Sequence, residues 1–366
     1  MPSHLTSSSR PRPARPAARR SHVLTAVLAC AVALAGCGVR LETPPPAEPS
    51  PDAIEQVRGR TVDDALDLAD GATAVAAGPV DDQVRVVLDD IAAFSARHAE
   101  ELGGVYDSGL PDPSPSATPS PTPPVVTDVT ALLAALVDDA ARAASDADAV
   151  PDPELARLVA SVAVARDSLA DRLAAVSGVP RPAPATDADG DASAQDATST
   201  SDPGAPSGTT APDAADSPDA GEPVAGEQGA AALALAHDEA AWAFTVLAAR
   251  TSDATRTSML DQAARHRAAS DAWARTAGVA GRPADPRRAA YAVPAGLDDP
   301  AVAQALPRSL EQAVADASAA AVASAPAGGR LDAVASLRTA TAAAVTWGAA
   351  PVPFPGMPEL ATAPVR

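Results

Sequence analysis

The sequence predicts an all-α protein, and two observations lead to that prediction. Apolar residues recur every three or four positions along eight segments, which is the period of a helix face. Proline-rich and glycine-rich stretches separate these segments, as expected where helices end. The chain of 366 residues is 46% hydrophobic but only 2% aromatic, and alanine supplies much of the apolar count. The helices are therefore expected to pack closely around thin cores.

The amino terminus has the pattern of an export signal. Five arginines precede an apolar run at 23–35 that is too short to span a membrane. Residues 34–37 (Leu-Ala-Gly-Cys) close this run and resemble the lipobox of bacterial lipoproteins, in which the cysteine is acylated and becomes the first mature residue. We therefore expect a signal peptide at 1–36, lipidation of Cys37 and a location on the outer, extracytoplasmic face of the cell membrane.

Two alternatives for the leader remain open. A secreted protein could be cleaved after a small residue without acylation of Cys37. Arg19 and Arg20 could direct export by the twin-arginine route, although Ser21 and His22 continue that motif poorly.

Charge and cysteine content exclude several classes of protein. The net charge of -20 argues against a nucleic-acid partner or an anionic lipid surface, because both are held through clustered positive charge. Cys30 leaves with the signal peptide, so Cys37 is the last cysteine of the mature chain. An intramolecular disulfide or a cysteine-based metal or redox site is then excluded.

The first half of the chain is expected to carry one helical module. A Pro-rich tether at 37–51 leads to an amino-terminal module at 52–178, which consists of two helical hairpins and is interrupted by a Pro-rich loop at 109–124. The four apolar stripes run through Ile54, Val57, Ala65, Leu68 and Val75; Val84, Val87, Ile91, Phe94, His98 and Leu102; Val129, Leu132, Leu136 and Ala140; and Leu155, Leu158, Val162, Leu169, Leu173 and Val176.

A linker and a second set of four helices follow. Residues 179–226 have almost no large apolar side chain and are predicted to be a disordered acidic linker between two independently folded modules. Two further hairpins, joined by a long crossing, predict a four-helix bundle at 227–356 with ferritin-like connectivity, followed by a tail at 357–366. Its stripes run through Leu233, Ala236, Ala240, Phe244 and Leu247; Met259, Ala263, His266, Trp273 and Ala277; Leu306, Leu310, Val314, Ala317 and Ala321; and Leu331, Val334, Leu337, Thr341 and Val345.

Four short motifs in this second half carry a family resemblance. They are 236–241 (AHDEAA), 264–267 (ARHR), 290–294 (AYAVP) and 347–356 (WGAAPVPFPG). Every basic residue is arginine, and the chain has no lysine or asparagine, which is typical of a GC-rich coding sequence. Together these features resemble the uncharacterised ferritin-like domain found in lipoproteins of GC-rich Gram-positive bacteria. The resemblance implies a ferritin-like four-helix bundle on the cell envelope, and it brings no established activity.

The iron chemistry of ferritins is not expected here. A di-iron bundle needs a Glu from each of two helices and a Glu-x-x-His pair from each of the other two. Ala263 stands where the Glu before His266 would be. Glu311 lies beside its apolar stripe, and Asp332 is near the start of its helix. We therefore predict no cofactor.

Two histidines of the bundle are expected to meet. His237 lies fourteen residues before Thr251 and His266 lies fourteen residues after Ser252, so they sit level on adjacent antiparallel helices. They should lie within hydrogen-bonding or water-bridged reach, and burial should make at least one titrate below the usual value of about 6.5.

Two interpretations of the pair are open. The histidines can satisfy one another as polar groups at the edge of the core. Alternatively, His237 and His266 form a mononuclear metal site with help from Glu239 or Asp238. His98, which has no such partner, is interpreted as structural.

Nothing in the sequence supports catalysis. There is no Gly-x-Ser-x-Gly elbow and no phosphate-binding glycine loop, and the His-x-Glu at His237 lacks the Pro-Cys-x-x-Cys of zinc deaminases. Trp242, Trp273 and Trp347 are interpreted as core residues. We expect a binding or scaffolding protein that is not an enzyme and engages an unidentified cell-envelope protein. The alternative is a degenerate ferritin-like metalloprotein.

Overall fold

Eight long helices, followed by one short helix, form the described part of the chain. The computed structural model describes residues 51–105, 126–185 and 225–361. The helices are α1 (Ala53–Ala76), α2 (Asp82–Glu101), α3 (Val129–Ala149), α4 (Pro153–Ser177), α5 (Ala225–Ala249), α6 (Asp253–Thr276), α7 (Pro300–Ser324), α8 (Leu331–Thr346) and α9 (Pro358–Ala361). These residues contain no strand, so the all-α prediction is confirmed.

Several predicted features lie outside the described residues. These are the signal peptide, Cys37, nearly all of the tether, all of the Pro-rich loop and most of the acidic linker. Helix α5 begins at Ala225, so the end of the predicted linker is helical. Within the described ranges, no helix combines the length and the apolar character that crossing a membrane requires.

Aspartates fix the start of several helices. Asp52, Asp128, Asp152 and Asp299 each accept a hydrogen bond from a backbone N–H in the first turn of α1, α3, α4 and α7. This contact satisfies one of the amide groups that the first turn leaves unpaired. The sequence therefore sets these boundaries locally.

The amino-terminal helices form a bundle of two hairpins. Helix α1 pairs with α2 and α3 pairs with α4, while α1 packs on α3 and α2 packs on α4. Leucines and isoleucines of the predicted stripes fill one of its cores, among them Leu68, Ile91, Leu136 and Leu169. Arg166 is also fully buried and donates to the carbonyl oxygen of Thr61 at 2.9 Å.

The carboxy-terminal helices form a second bundle that is open on one side. Helix α6 pairs with α5, α8 pairs with α7, and the contact between α5 and α7 joins the two hairpins. The long connection at 277–299 crosses between the hairpins. Helices α5 and α7 therefore form the centre of the bundle. Helices α6 and α8 lie on either side of a groove.

The two halves share a core, which differs from the expected separation into independent modules. Helix α4 packs on α7 and α8, and α3 packs on α8. Val159 of α4 and Val314 of α7 belong to the same buried cluster. Alanine-rich faces allow this close approach, because small side chains leave little space between helix backbones.

Arg330 links the halves through polar contacts. Its side chain is buried and donates from Nη1 to the carbonyl oxygens of Ala147 and Val150 at 2.9 and 2.6 Å, and from Nε to that of Ala325 at 3.1 Å. Its backbone amide donates to Asp148 Oδ1 at 2.6 Å. Because α3 ends at Ala149, the guanidinium satisfies carbonyl groups that the last turn leaves unpaired.

The carboxy-terminal segment covers the junction between the halves. Phe354 and Met357 are buried against Val162 of α4, so the segment predicted to be a tail begins with a buried residue. Gly356 has a φ of +75°, and a Cβ there would lie 2.7 Å from the carbonyl oxygen of Ala315. Only glycine fits this position without displacing α7.

Candidate functional site

A groove of about 830 Å3 lies between α6 and α8. Its walls come from these two helices and include Trp273 and Trp347, while His237 of α5 and Glu311 of α7 lie at its floor. Many of the remaining wall positions are alanine or threonine. The volume of the groove therefore follows from small side chains on two helices that do not close on each other.

The predicted histidine pair lies in this floor. His237 Nδ1 and His266 Nδ1 are 2.9 Å apart, and both residues are buried. The prediction that equal distances from the hairpin turn would bring them together is confirmed. Phe244 stacks on the His266 ring with centroids 5.4 Å apart and holds its orientation.

Glu311 completes the pair, which corrects its sequence-based placement beside the apolar stripe. It is only 1% exposed, and its Oε1 lies 3.0 Å from His266 Nε2. Gln262 Nε2 donates to the same oxygen at 2.5 Å. The amide orientation of Gln262 is set by Arg265, whose Nε donates to Gln262 Oε1 at 2.9 Å. All four helices of the bundle contribute to this network when Ser336 of α8 is included.

The donor in each hydrogen bond between the two serines and the two histidines can be assigned by starting from the backbone carbonyl of Val314. Ser318 donates its single hydroxyl proton to the carbonyl oxygen of Val314 at 2.7 Å. Ser336 must then be the donor in its 2.9 Å contact with Ser318. Because the Ser336 hydroxyl proton points to Ser318, the Ser336 oxygen can only accept from His237 Nε2, which lies 3.4 Å away. That nitrogen therefore carries a proton. The Nδ1 of neutral His237 is therefore an acceptor, and His266 Nδ1–H donates to it.

Burial keeps His237 neutral. Desolvation, and then the nearby His266, lower the pKa of His237 from 6.5 to about 3. This is the direction expected from burial of the pair. His266 Nε2 lies 3.0 Å from Glu311 Oε1 on the other side of the ring, so the network ends on a buried carboxyl group.

The two carboxylates predicted as additional metal ligands, Glu239 and Asp238, do not lie beside His237 and His266. Glu239 is exposed and is not among the described residues that line the groove, which corrects its predicted place beside the histidines. Asp238 accepts a hydrogen bond from the hydroxyl of Tyr291 at 2.7 Å. Both face away because a helix turns by about 100° per residue, so neighbours of His237 cannot share its direction.

The residues present do not fit a di-iron centre. Ala234 and Ala263 stand three positions before His237 and His266, where such a centre needs glutamates. His266 contacts His237 and Glu311 through opposite ring nitrogens, so one ion cannot bind all three. Across the described ranges, no group of three or more His, Cys, Asp or Glu side chains could hold a metal ion.

His98 is structural, as interpreted from the sequence. It is fully buried in α2, and its Nε2 donates to the carbonyl oxygen of Pro353 at 2.7 Å. Its ring packs edge-on against Phe354 at 5.2 Å. Burial lowers the pKa of His98 to about 3, so the ring stays neutral and fixes the carboxy-terminal segment.

A comparison with known families places the groove in one domain. The family model described as "Domain of unknown function (DUF4439)" matches residues 230–359, which span nearly all of α5 and continue into α9. Neither a curated protein nor a solved structure matches the chain. The groove and its His237–His266–Glu311 network therefore belong to the segment that is similar to this domain of unknown function.

Proposed function

We propose that this chain is an exported, lipid-anchored binding protein of the cell envelope, and that the groove between α6 and α8 is its binding surface. The leader and the lipobox at Cys37 support export and anchoring. The observation that carries the binding role is the groove itself, whose polar floor is built by all four helices of the bundle. The long connection between α6 and α7 supports a ferritin-like relationship.

The shape and chemistry of the groove favour a small ligand. Binding pockets have volumes of about 300 to 1,000 Å3, with mostly apolar walls and a few convergent polar groups. The groove has two tryptophans and several alanines on its walls and the His237–His266–Glu311 network at its floor. This arrangement offers contact area and a small number of orienting hydrogen bonds.

The direction of the hydrogen bonds at Ser336 favours binding over catalysis. His237 contacts the Ser336 hydroxyl, but Ser336 donates its proton to Ser318. His237 is therefore not positioned to remove that proton and create a nucleophile. Arg265 donates to Gln262, and Gln262 donates to Glu311. These hydrogen bonds hold the side chains of the groove floor in place.

A metal site formed by His237 and His266 is the alternative. Their Nδ1 atoms are 2.9 Å apart, a separation that two ligands of one ion can have. The ion would have to displace the proton on His266 Nδ1, and the described side chains offer no third ligand on that side. Zinc titration by calorimetry, repeated with His237→Leu, tests this alternative.

Filling the groove should abolish binding. Ala272 is exposed on the groove wall of α6, so Ala272→Phe places a ring in the ligand space. Three aromatic probes of equal shape, 2-phenylethylamine, 2-phenylethanol and phenylacetate, can be titrated by calorimetry. We expect at least one to bind the wild type and to bind Ala272→Phe about tenfold more weakly or worse.

Ala264→Phe is the matched control, because Ala264 is exposed on α6 outside the groove. It should bind the probes as the wild type does. Equal binding by both variants, or no binding of any probe to the wild type, would contradict the proposal.

A further inference from the structure

We propose that the groove selects a small organic amine, with the protonated nitrogen at Glu311 and an apolar body between Trp273 and Trp347. This assignment rests on the proposed binding function and adds the chemical class of the ligand. It is carried by one carboxylate oxygen of a groove-lining residue, by the balance of charge around the groove and by the position of two indole rings.

The carboxyl group of Glu311 has one oxygen to offer. Both polar contacts of Glu311, with His266 Nε2 and with the donating Gln262 Nε2, are made by Oε1. Oε2 thus has no protein partner among the described residues, although the side chain is 1% exposed and lines the groove. Because Glu311 lines the groove, Oε2 is the carboxylate oxygen that can accept a hydrogen bond from a ligand donor.

The charges around the groove favour a cation. Three carboxyl groups line it, those of Asp261, Glu311 and Asp332, whereas the basic partners are the guanidinium of Arg265 and, beside Glu311, the Nε2 of His266 at 3.0 Å. That guanidinium already donates to Gln262 Oε1. An anionic ligand would therefore meet an excess of negative charge, whereas an ammonium group meets complementary charge and can donate three hydrogen bonds.

The walls suit an apolar body next to the ammonium group. Trp273 on α6 and Trp347, which directly follows α8, both line the groove and are partly buried. Trp347 is held by Phe244, with ring centroids 5.9 Å apart. Indole faces attract cations and pack well against flat or aliphatic groups, and the adjacent alanines leave room for them.

The probe series tests this assignment directly. 2-Phenylethylamine, 2-phenylethanol and phenylacetate differ in the charge and hydrogen-bonding capacity of one end. By calorimetry at neutral pH we expect the amine to bind the wild type about tenfold more tightly than the alcohol, and phenylacetate to bind most weakly, because a charge-assisted hydrogen bond is at stake. Glu311→Gln should lose about tenfold for the amine and change little for the alcohol.

Glu239→Gln is the matched control, since Glu239 is exposed and outside the groove. It should keep the affinity for the amine. If Glu311→Gln does not fold, the order of the three probes on the wild type still decides. Binding of the alcohol or of phenylacetate as tight as that of the amine would overturn the amine assignment but leave groove binding intact, whereas failure of all three probes would reject both.

A final comparison separates a free amine from a lysine side chain. The blocked tripeptide acetyl-Ala-Lys-Ala-amide presents the same ammonium group on a peptide. Weaker binding than that of 2-phenylethylamine supports a small-molecule ligand. Tighter binding of the tripeptide would overturn that part of the proposal and assign the groove to a protein partner.

Discussion

Arg330→Met is expected to destabilise the protein by about 3–5 kcal/mol, because it removes the buried cation that joins the two halves. The side chain is 2% exposed and donates to the carbonyl oxygens of Ala147 and Val150 at the end of α3. Methionine fills much of the volume but offers no donor, so these carbonyl groups would be buried without partners. Urea unfolding followed by circular dichroism measures the loss.

Arg338→Met is the matched control on α8, the helix that directly follows Arg330. The Arg338 side chain is 47% exposed and pairs with Asp167 at 3.1 Å. Asp167 is buried but also pairs with Arg181, so it keeps a cationic partner when the half-exposed Arg338 is removed, and this variant should lose only about 0–1 kcal/mol. An Arg330→Met variant as stable as Arg338→Met would show that the contact between α3 and α8 contributes little.

Cys37→Ser is expected to abolish anchoring of the mature-sized protein in the membrane fraction. Acylation of Cys37 would provide the only lipid anchor that the sequence predicts, and serine has no thiol to acylate. The variant should remain uncleaved or be released, whereas the wild type should fractionate with membranes at its mature size. Fractionation of cells followed by intact mass measurement distinguishes these outcomes.

Cys30→Ser provides the control, because Cys30 lies within the predicted signal peptide. This variant should be processed and anchored as the wild type is. A Cys37→Ser protein that stays in the membrane fraction at mature size would show that anchoring does not depend on the lipobox.

The helices could be predicted from the sequence because each carries its own signals. The stripe from Leu155 to Val176 predicted α4, which spans Pro153–Ser177. Asp152 and Pro153 mark its start, and Gly178, with φ of +70°, marks its end. Local signals of this kind do not depend on which helices later pack together.

The burial of Glu311 could not be predicted because, in an alanine-rich helix, the sequence does not show clearly which face is buried. The sequence favoured the stripe through Leu306 and Leu310, whereas the buried face also includes Pro307, Glu311 and Ser318. A small rotation costs little where many neighbours are alanine. His266 and Gln262, from another helix, make the inward position favourable, and spacing within α7 carries no information about them.

The packing between the halves was missed for a similar reason. Arg330 is preceded by two glycines and followed by a helix, and this local pattern does not indicate a partner elsewhere in the chain. Its partners are carbonyl groups of α3, about 180 positions earlier in the chain. Backbone acceptors are present at every residue, so the sequence does not indicate which of them a distant arginine will reach.

Thiol labelling of the groove floor tests the central claim most directly. In a chain with Cys30 and Cys37 replaced by serine, Ser336→Cys places one thiol on the groove, and Ser318→Cys places one in the buried layer behind it. We predict rapid reaction of Ser336→Cys with a maleimide, slow reaction of Ser318→Cys, and protection of the first thiol by 2-phenylethylamine. Equal reactivity of the two thiols, or no protection of Ser336→Cys, would contradict a ligand-binding groove between α6 and α8.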